Sequence, residues 1–532
     1  MKWAQKCYVL VLVVTIAGIA FRLPGLAKRP MHGDEAVHAY KFGELLEGNT
    51  YRYDPDEYHG PSLAYFTLIP ARLSGIDKYK DLTEFTVRIV PVFFAVLLVL
   101  MSLLLVDGLG RFAVIIAALL TAISPAFVFY SRYYIQEMLL VCFTFGVIGC
   151  GYRYFRSRKI LWAISSGIFL GLMHATKETC IIAYGSMLSA LILVLILQPK
   201  QEFISNIKKT MKTRHLIAAM VSAIIVSAMF YSSFFTNPGG VWDSIRTYLV
   251  YFHRAGQNQL HIHRWYYYLK MLIYSQYYDG PIWSEAIIVV LAVFGFAAAM
   301  TRKSIADVNS GLLRFIAFYT VIMTVVYSVI PYKTPWCMLG FLHGMILLGG
   351  AGVWVIIKSV SNVWVRGLIQ LVLAAGAVHL GWQAYLANYI YYADSRNPYV
   401  YAHPTNDVFT MVQRVDEISA AHREGHNMHI EVICPGGDYW PLPWYLRRYD
   451  SVGWLNEVDE NTPAAPVIIA SASVEPALLR KLYQLPPPGE RNLYVPLFDT
   501  KSWLRPDVEL RGYITKELWD SCQQQISTRN EK

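Results

Sequence analysis

Apolar residues in this chain come in long, nearly uncharged runs. A hydrocarbon core of about 30 Å takes roughly 20 helical residues. Runs near that length fall at 7–24, 85–106, 111–130, 136–153, 160–175, 179–197, 215–235, 284–301, 314–330, 337–357 and 366–387. They predict an α-helical polytopic membrane protein with about eleven transmembrane helices. The first run has no small-residue cleavage site after it, and Leu23-Pro24-Gly25 leads straight into charged sequence, so it is expected as a retained helix rather than a signal peptide. The stretch 61–73 (PSLAYFTLIPARL) is too short to span and predicts an interfacial segment.

Beyond residue 387 the pattern changes. A helix-like run at 407–423 precedes a strand-like HIEVIC (429–434), then PVIIAS (466–471), a helix-like 475–485 and NLYVPL (492–497). Alternating strand and helix patterns predict a small α/β domain over 388–532, following a transmembrane domain over 1–387 with long outer loops at 25–84 and 236–283. No internal repeat is visible, so the inverted repeats of many secondary transporters find no support.

Composition agrees with the pattern, since 16% of residues are charged where soluble proteins carry about 25%. The net charge of +10 raises the question of nucleic acid, and the positions of the cations answer it. With the N-terminus inside, the inner segments hold Lys2, Lys6, Arg111, RYFRSRK (153–159), QPKQEFISNIKKTMKTR (198–214), Arg302, Lys303, Arg314, Lys358 and Arg366. These are 17 basic residues against Asp107, Glu202 and Asp307, whereas the outer loop 25–84 holds seven basic and ten acidic residues. The charge therefore reports topology. It predicts a multi-pass cell-membrane protein with a cytoplasmic N-terminus and an extracytoplasmic C-terminal domain, in contact with membrane lipids and not with nucleic acid. Seven cysteines without a CxxC pair suggest neither a zinc site nor a disulfide framework.

This topology places the chemistry-bearing segments together on the outer face: MHGDEAVHAY (31–40), DEYHGP (56–61), SRYYIQE (131–137), HATKET (174–179), the connection 236–283 and PYKTPW (331–336). Ionisable groups at membrane depth are costly and point to function. Asp34 or Glu35 can act as a general base, and the same pair also suits the N-terminus of a helix over 36–46, where the dipole favours acids. Arg132 can hold a phosphate, with Glu137 orienting it, binding a divalent cation, or simply pairing with the arginine. Lys177 and Lys333 are compact cations suited to a phosphate leaving group, with snorkelling at the interface as the alternative. His253, His261 and His263 have weak metal spacing, and the aromatic cluster Trp265 to Tyr268 reads as an interfacial belt. His59 in YHGP can reach a site, while Gly60-Pro61 marks a turn.

The acidic pair after one N-terminal helix, the Arg and acid of SRYYIQE and the lysine of TKET resemble the GT-C fold glycosyltransferases, in particular the protein O-mannosyltransferase and aminoarabinose-transferase branch. With YHGP, YKTPW, YVYAHPTND (399–407) and DYWPLPWYLRRYD (438–450), the chain is similar to the prokaryotic flippase-activity-associated family linked to archaeal protein N-glycosylation. The resemblance implies a transferase taking a sugar from a polyprenyl-phosphate donor, dolichyl or undecaprenyl, to a protein, lipid or glycan acceptor. Asp34 would be the base and Glu35 its support. Arg132, Glu137, Lys177, Lys333, Tyr332 and His59 would lie on the donor-phosphate side. Where the O-mannosyltransferases have Asp, this chain has Glu137, one methylene longer.

A lipid-phosphate sugar has its head at the interface and its tail in the bilayer, so a site at outer helix ends meets both. Outer cations neutralise the leaving phosphate, and a base opposite it implies single displacement with inversion. Two other readings stay open. A flippase or transporter of lipid-linked sugars would also use outer cations, although the spans offer few midplane charges for a path inward. A non-catalytic partner of such an enzyme is the third reading.

Overall fold

The long apolar runs fold into helices, and the breaks in them follow local chemistry. The computed structural model describes residues 2–48, 50–56, 59–197, 212–254, 261–301 and 307–530. Most of the basic stretch 198–214, together with Arg302, Lys303, Glu57, Tyr58 and 255–260, lies outside them. Among the described residues six helices are long and apolar enough to cross a membrane: Glu84–Leu109, Glu137–Ser157, Thr213–Tyr231, Ser310–Val329, Pro335–Ser359 and Val363–Ile390. Shorter apolar helices cover Gln5–Ala20, Arg111–Ile123, Ile160–His174, Cys180–Ile196 and Ala286–Met300. The protein is thus multi-pass. The run 111–130 is split because Pro125, which has no N–H to give, starts a second helix, Pro125–Tyr130, with Ser124 as its cap. The segment 61–73 forms the helix Ser62–Leu73.

The chain divides into two compact units. The first comprises Met1–Leu26, Gly48–Ser74 and Phe85–Tyr401, and the second comprises Ala27–Glu47, Gly75–Glu84 and Ala402–Lys532. In the first unit the helices Ala286–Met300 and Leu339–Ser359 touch backbone to backbone. A Cβ on Gly295 would stand 2.0 Å from the Leu348 carbonyl oxygen, and one on Gly352 would stand 2.2 Å from that of Leu291. Small residues are what let helices in lipid approach closely enough to gain dispersion contacts.

The second unit is built on a sheet of six strands: β1 (Ile430–Ile433), β2 (Val452–Leu455), β3 (Val467–Ser471), β4 (Tyr494–Pro496), β5 (Ser502–Arg505) and β6 (Val508–Thr515), in the order β2-β1-β3-β6-β4, with β5 also on β6. β1 is parallel to β2 and β3, while β6 runs antiparallel to β3, β4 and β5. Helix Asp407–Ser419 places Val408, Met411, Val415 and Ile418 in one core with Ile430, Val432 and Ile469. Helix Glu475–Tyr483 places Leu478 and Leu482 in a second core with Ile433, Ile468 and Ala470. Burial on both faces is why β1 and β3 read as nearly continuous apolar runs.

The segments expected at 407–423, 429–434, 466–471, 475–485 and 492–497 all form elements of the expected kind. β2, β5, β6 and the closing helix Lys516–Asn530 were not anticipated. From the loop after the first helix, Met31 donates its N–H to the Tyr445 hydroxyl at 2.8 Å. Trp444 Nε1 donates to the Glu84 carboxylate at 2.8 Å.

Candidate active site

In the second unit, helix Gly33–Gly48 opens on the two acids Asp34 and Glu35. The buried Glu35 turns back, so that its Oε2 accepts the His32 backbone N–H at 2.9 Å. This is the reciprocal half of a capping box, with His32 in the cap position. Asp34 points outward with its side chain 53% exposed, and its Oδ2 lies 3.8 Å from His32 Nδ1. The helix-terminus reading thus accounts for Glu35, and the outward carboxylate is Asp34. His403 stacks obliquely on His32 at 5.8 Å. Burial, then the charges of Arg29 and His32, hold it well below the usual imidazole range.

In the first unit, Arg132 is bound to backbone. Its guanidinium donates to the carbonyls of Arg22 and Pro24 at 2.8 Å and Gly25 at 3.0 Å, and to the Tyr389 hydroxyl at 3.2 Å. Burial lowers its pKa to about 10. Arg132 therefore ties down the exit of the first helix. Glu137, at the start of its helix, takes a short charge-assisted bond from Lys177, both side chains being buried. Glu137 and Thr179 line a cavity of about 20 Å³ with Tyr327, Trp336 and Cys337. Three expected segments, 131–137, 174–179 and 331–336, thus converge within this unit.

The motif YHGP lies against HATKET. Ser62 donates its N–H to the Ala175 carbonyl at 2.9 Å, and its hydroxyl meets that of Thr176 at 2.8 Å. Gly60 makes this approach possible, because a Cβ there would stand 2.4 Å from the Ala175 oxygen. The clamp brings His59 Nδ1 within 2.8 Å of the buried Glu178 carboxylate, whose other oxygen accepts the Tyr53 hydroxyl at 2.9 Å. Burial alone would raise the Glu178 carboxyl. The His59 charge and hydrogen bond, with backbone and Tyr53 bonds, outweigh it and hold the group below its usual range. Glu178 was not assigned a role from sequence, and the only local signal was its place beside Lys177.

Lys333 is 1% exposed. Its ammonium donates to the carbonyls of Ile330 and His263, and burial lowers its pKa. Tyr332 bridges to Ile262 and is 44% exposed. The Tyr401 hydroxyl lies 2.6 Å from His261 Nδ1 and 3.1 Å from His263 Nε2, which makes it the focus of that histidine pair. Among the described residues no group of three or more His, Cys, Asp or Glu is arranged to hold a metal ion.

Residues 68–237 match the family model described as dolichyl-phosphate-mannose-protein mannosyltransferase. A search of curated protein sequences finds no match. ArnT from Cupriavidus metallidurans in the apo state superposes with a TM-score of 0.61 at 14% identity, over 96% of this chain and 98% of that one. The chain has the GT-C glycosyltransferase fold. ArnT bound to undecaprenyl phosphate shares this GT-C fold with a TM-score of 0.58 at 14% identity, again over 96% and 98% of the two chains. The Archaeoglobus fulgidus oligosaccharyltransferase, tethered with an acceptor peptide, matches with a TM-score of 0.54 at 12% identity over 86% of this chain. The present GT-C chain spans 65% of that protein's length.

Proposed function

We propose that this chain is a polyprenyl-phosphate-sugar-dependent glycosyltransferase that works on the outer membrane face, with a protein, lipid or glycan as acceptor. The observation that carries the reading is the split between the two adjacent acids, one buried as a helix cap and the other, Asp34, turned outward. Asp34 takes the acceptor proton as general base, and Glu35 supports it by fixing the helix start. Lys177 and Lys333 supply positive charge toward the donor phosphate, with Tyr332 and His59 as polar contacts and Glu137 setting the position of Lys177. Arg132 holds the entry to the first outer loop. Attack opposite the leaving phosphate gives inversion. Eleven spans, a cytoplasmic N-terminus and an extracytoplasmic 388–532 complete the proposal.

Support comes from the GT-C fold and from the mannosyltransferase-family match over 68–237. Another structure with this fold, the Archaeoglobus fulgidus protein AglB, is in complex with an inhibitory peptide and a dolichol-phosphate, with a TM-score of 0.55 at 11% identity. The test is Asp34→Asn in the full-length protein. Sugar transfer from a polyprenyl-phosphate donor should fall by about 10²–10⁴-fold, with membrane insertion and melting temperature unchanged. Undiminished transfer overturns the assignment.

A further inference from the structure

Two adjoining cavities in the first unit run inward from the Glu137–Lys177 pair, among the helices Glu137–Ser157, Ser310–Val329 and Leu339–Ser359. The cavity at the pair, of about 20 Å³, is lined by Glu137, Thr144, Thr179 and Tyr319. The deeper one, of about 10 Å³, is lined by Thr144, Tyr319 and His343. Gly340 borders both and puts no side chain between them. Thr144 lies about 10 Å along its helix from Glu137, so the polar lining continues to membrane depth.

Lys177 engages Oε1 of Glu137. Among the described residues no hydrogen bond reaches Glu137 Oε2, the Tyr319 hydroxyl or the His343 ring, although these residues are 5%, 3% and 5% exposed. The His343 ring rests on Phe127 and Phe145 and the Tyr319 ring stacks on Phe315, contacts that satisfy no polar atom. Polar groups buried this deeply are costly without partners, and within a membrane bundle they mark a site. A water molecule needs about 10–15 Å³ of space and two to four polar partners, and each cavity supplies both. Thr144 Oγ1 donates to the Leu140 carbonyl at 2.7 Å and keeps a lone pair for another donor. The tyrosine hydroxyl gives and accepts, a neutral imidazole does both in either tautomer, and the carboxylate oxygen ends the chain as an acceptor.

We propose that the two cavities are an internal water site, one molecule held by His343, Tyr319 and Thr144 and the next by Tyr319 and Glu137 Oε2, and that this site fixes the carboxylate that positions Lys177. Tyr319 and His343 are thereby positioning residues for a cation directed at the donor phosphate. That role rests on the polyprenyl-phosphate reading above, whereas the water site does not.

The experiment uses the full-length protein in nanodiscs as wild type, Tyr319→Phe and Gly340→Ala. Tyr319→Phe removes one hydroxyl and keeps the ring. Gly340→Ala adds a methyl beside the cavities that meets only the flexible end of Met323, at 3.0 Å. High-resolution cryo-EM maps should show a water peak in each wild-type cavity, about 2.7–3.2 Å from the groups named, and should lose the outer peak in both variants. Each variant should bind undecaprenyl phosphate about tenfold more weakly. The loss should vanish in a background where Glu137→Gln and Lys177→Met have removed the pair, because the water then has no cation to position.

Dry cavities in a wild-type map that resolves ordered water elsewhere in the bundle overturn the water site. Unchanged affinity in both variants overturns the positioning role, as does an equal loss in the background without the pair, which is what general loosening of the helices would give. If Tyr319→Phe does not fold, Gly340→Ala decides. Wild-type protein that holds both waters but neither binds undecaprenyl phosphate nor transfers sugar sinks the transferase reading and leaves the water site standing.

Discussion

One peptide bond separates two carboxyls with opposite surroundings at Asp34 and Glu35. Replacing Glu35 with Ala removes the bond to the His32 N–H and should lower stability by about 1 kcal/mol, read as an earlier melting midpoint. Asp34→Asn should leave the midpoint in place. The dipeptide stood out in the sequence, but its division of labour did not, because the usual cap residues are Ser, Thr, Asp and Asn and here the position is filled by His32. The partners of Lys177 and Glu178 were illegible for a different reason. Glu137 lies 40 residues away from Lys177, and His59 lies 119 from Glu178, so only the fold joins them.

The Glu178 carboxyl also carries a pH prediction. Its folded-state pKa lies below the ordinary value of 4.5. Its contribution to stability is therefore complete above that value and is lost as pH falls through the depressed one. Wild type should loosen more steeply than Glu178→Gln on acidification below about pH 4.5, measured by tryptophan fluorescence.

At the scale of elements, the glycine of YHGP is a spacing device. Gly60→Ala drives a Cβ into the Ala175 backbone and should cost about 1–3 kcal/mol, detectable as proteolysis within 25–84. In the sheet, Glu431 in the middle of β1 meets Lys481 of helix Glu475–Tyr483 at 3.3 Å, both side chains being at most 4% exposed. Lys481→Met alone strands a buried charge and should cost about 3–5 kcal/mol, whereas the double variant with Glu431→Leu should recover most of the lost midpoint. The runs that form β1 and β3 were legible because both faces are buried. β2 was not, since its four residues, VGWL, are half-buried, short and interrupted by Gly453. β6 does alternate, but Gly512 interrupts it where Leu497 and Phe498 press against the backbone.

For the whole molecule, charge asymmetry was the strongest topological signal available, and it yields a direct test. Reporters fused after residues 205 and 400 should signal opposite sides of the membrane, and the same side for both overturns the orientation. The apolar helices were legible because an apolar run is long and local, whereas the polar closing helix Lys516–Asn530 was not. Helix interruption at Pro125 was not, because the run 111–130 stays apolar on both sides of the proline.

The second unit is assembled from three stretches far apart in the chain, 27–47, 75–84 and 402–532. Its order of synthesis follows from that. Helix Gly33–Gly48, which carries Asp34, leaves the ribosome hundreds of residues before Tyr445, Trp444 and the His403 ring that complete its surroundings. Until the last stretch is made, the segments 27–47 and 75–84 belong to an unfinished domain open to proteases and chaperones. A nascent chain halted at residue 401 should therefore be cut within 27–84 while its membrane helices persist, and quality control can register completion of the last domain by inspecting the first loop.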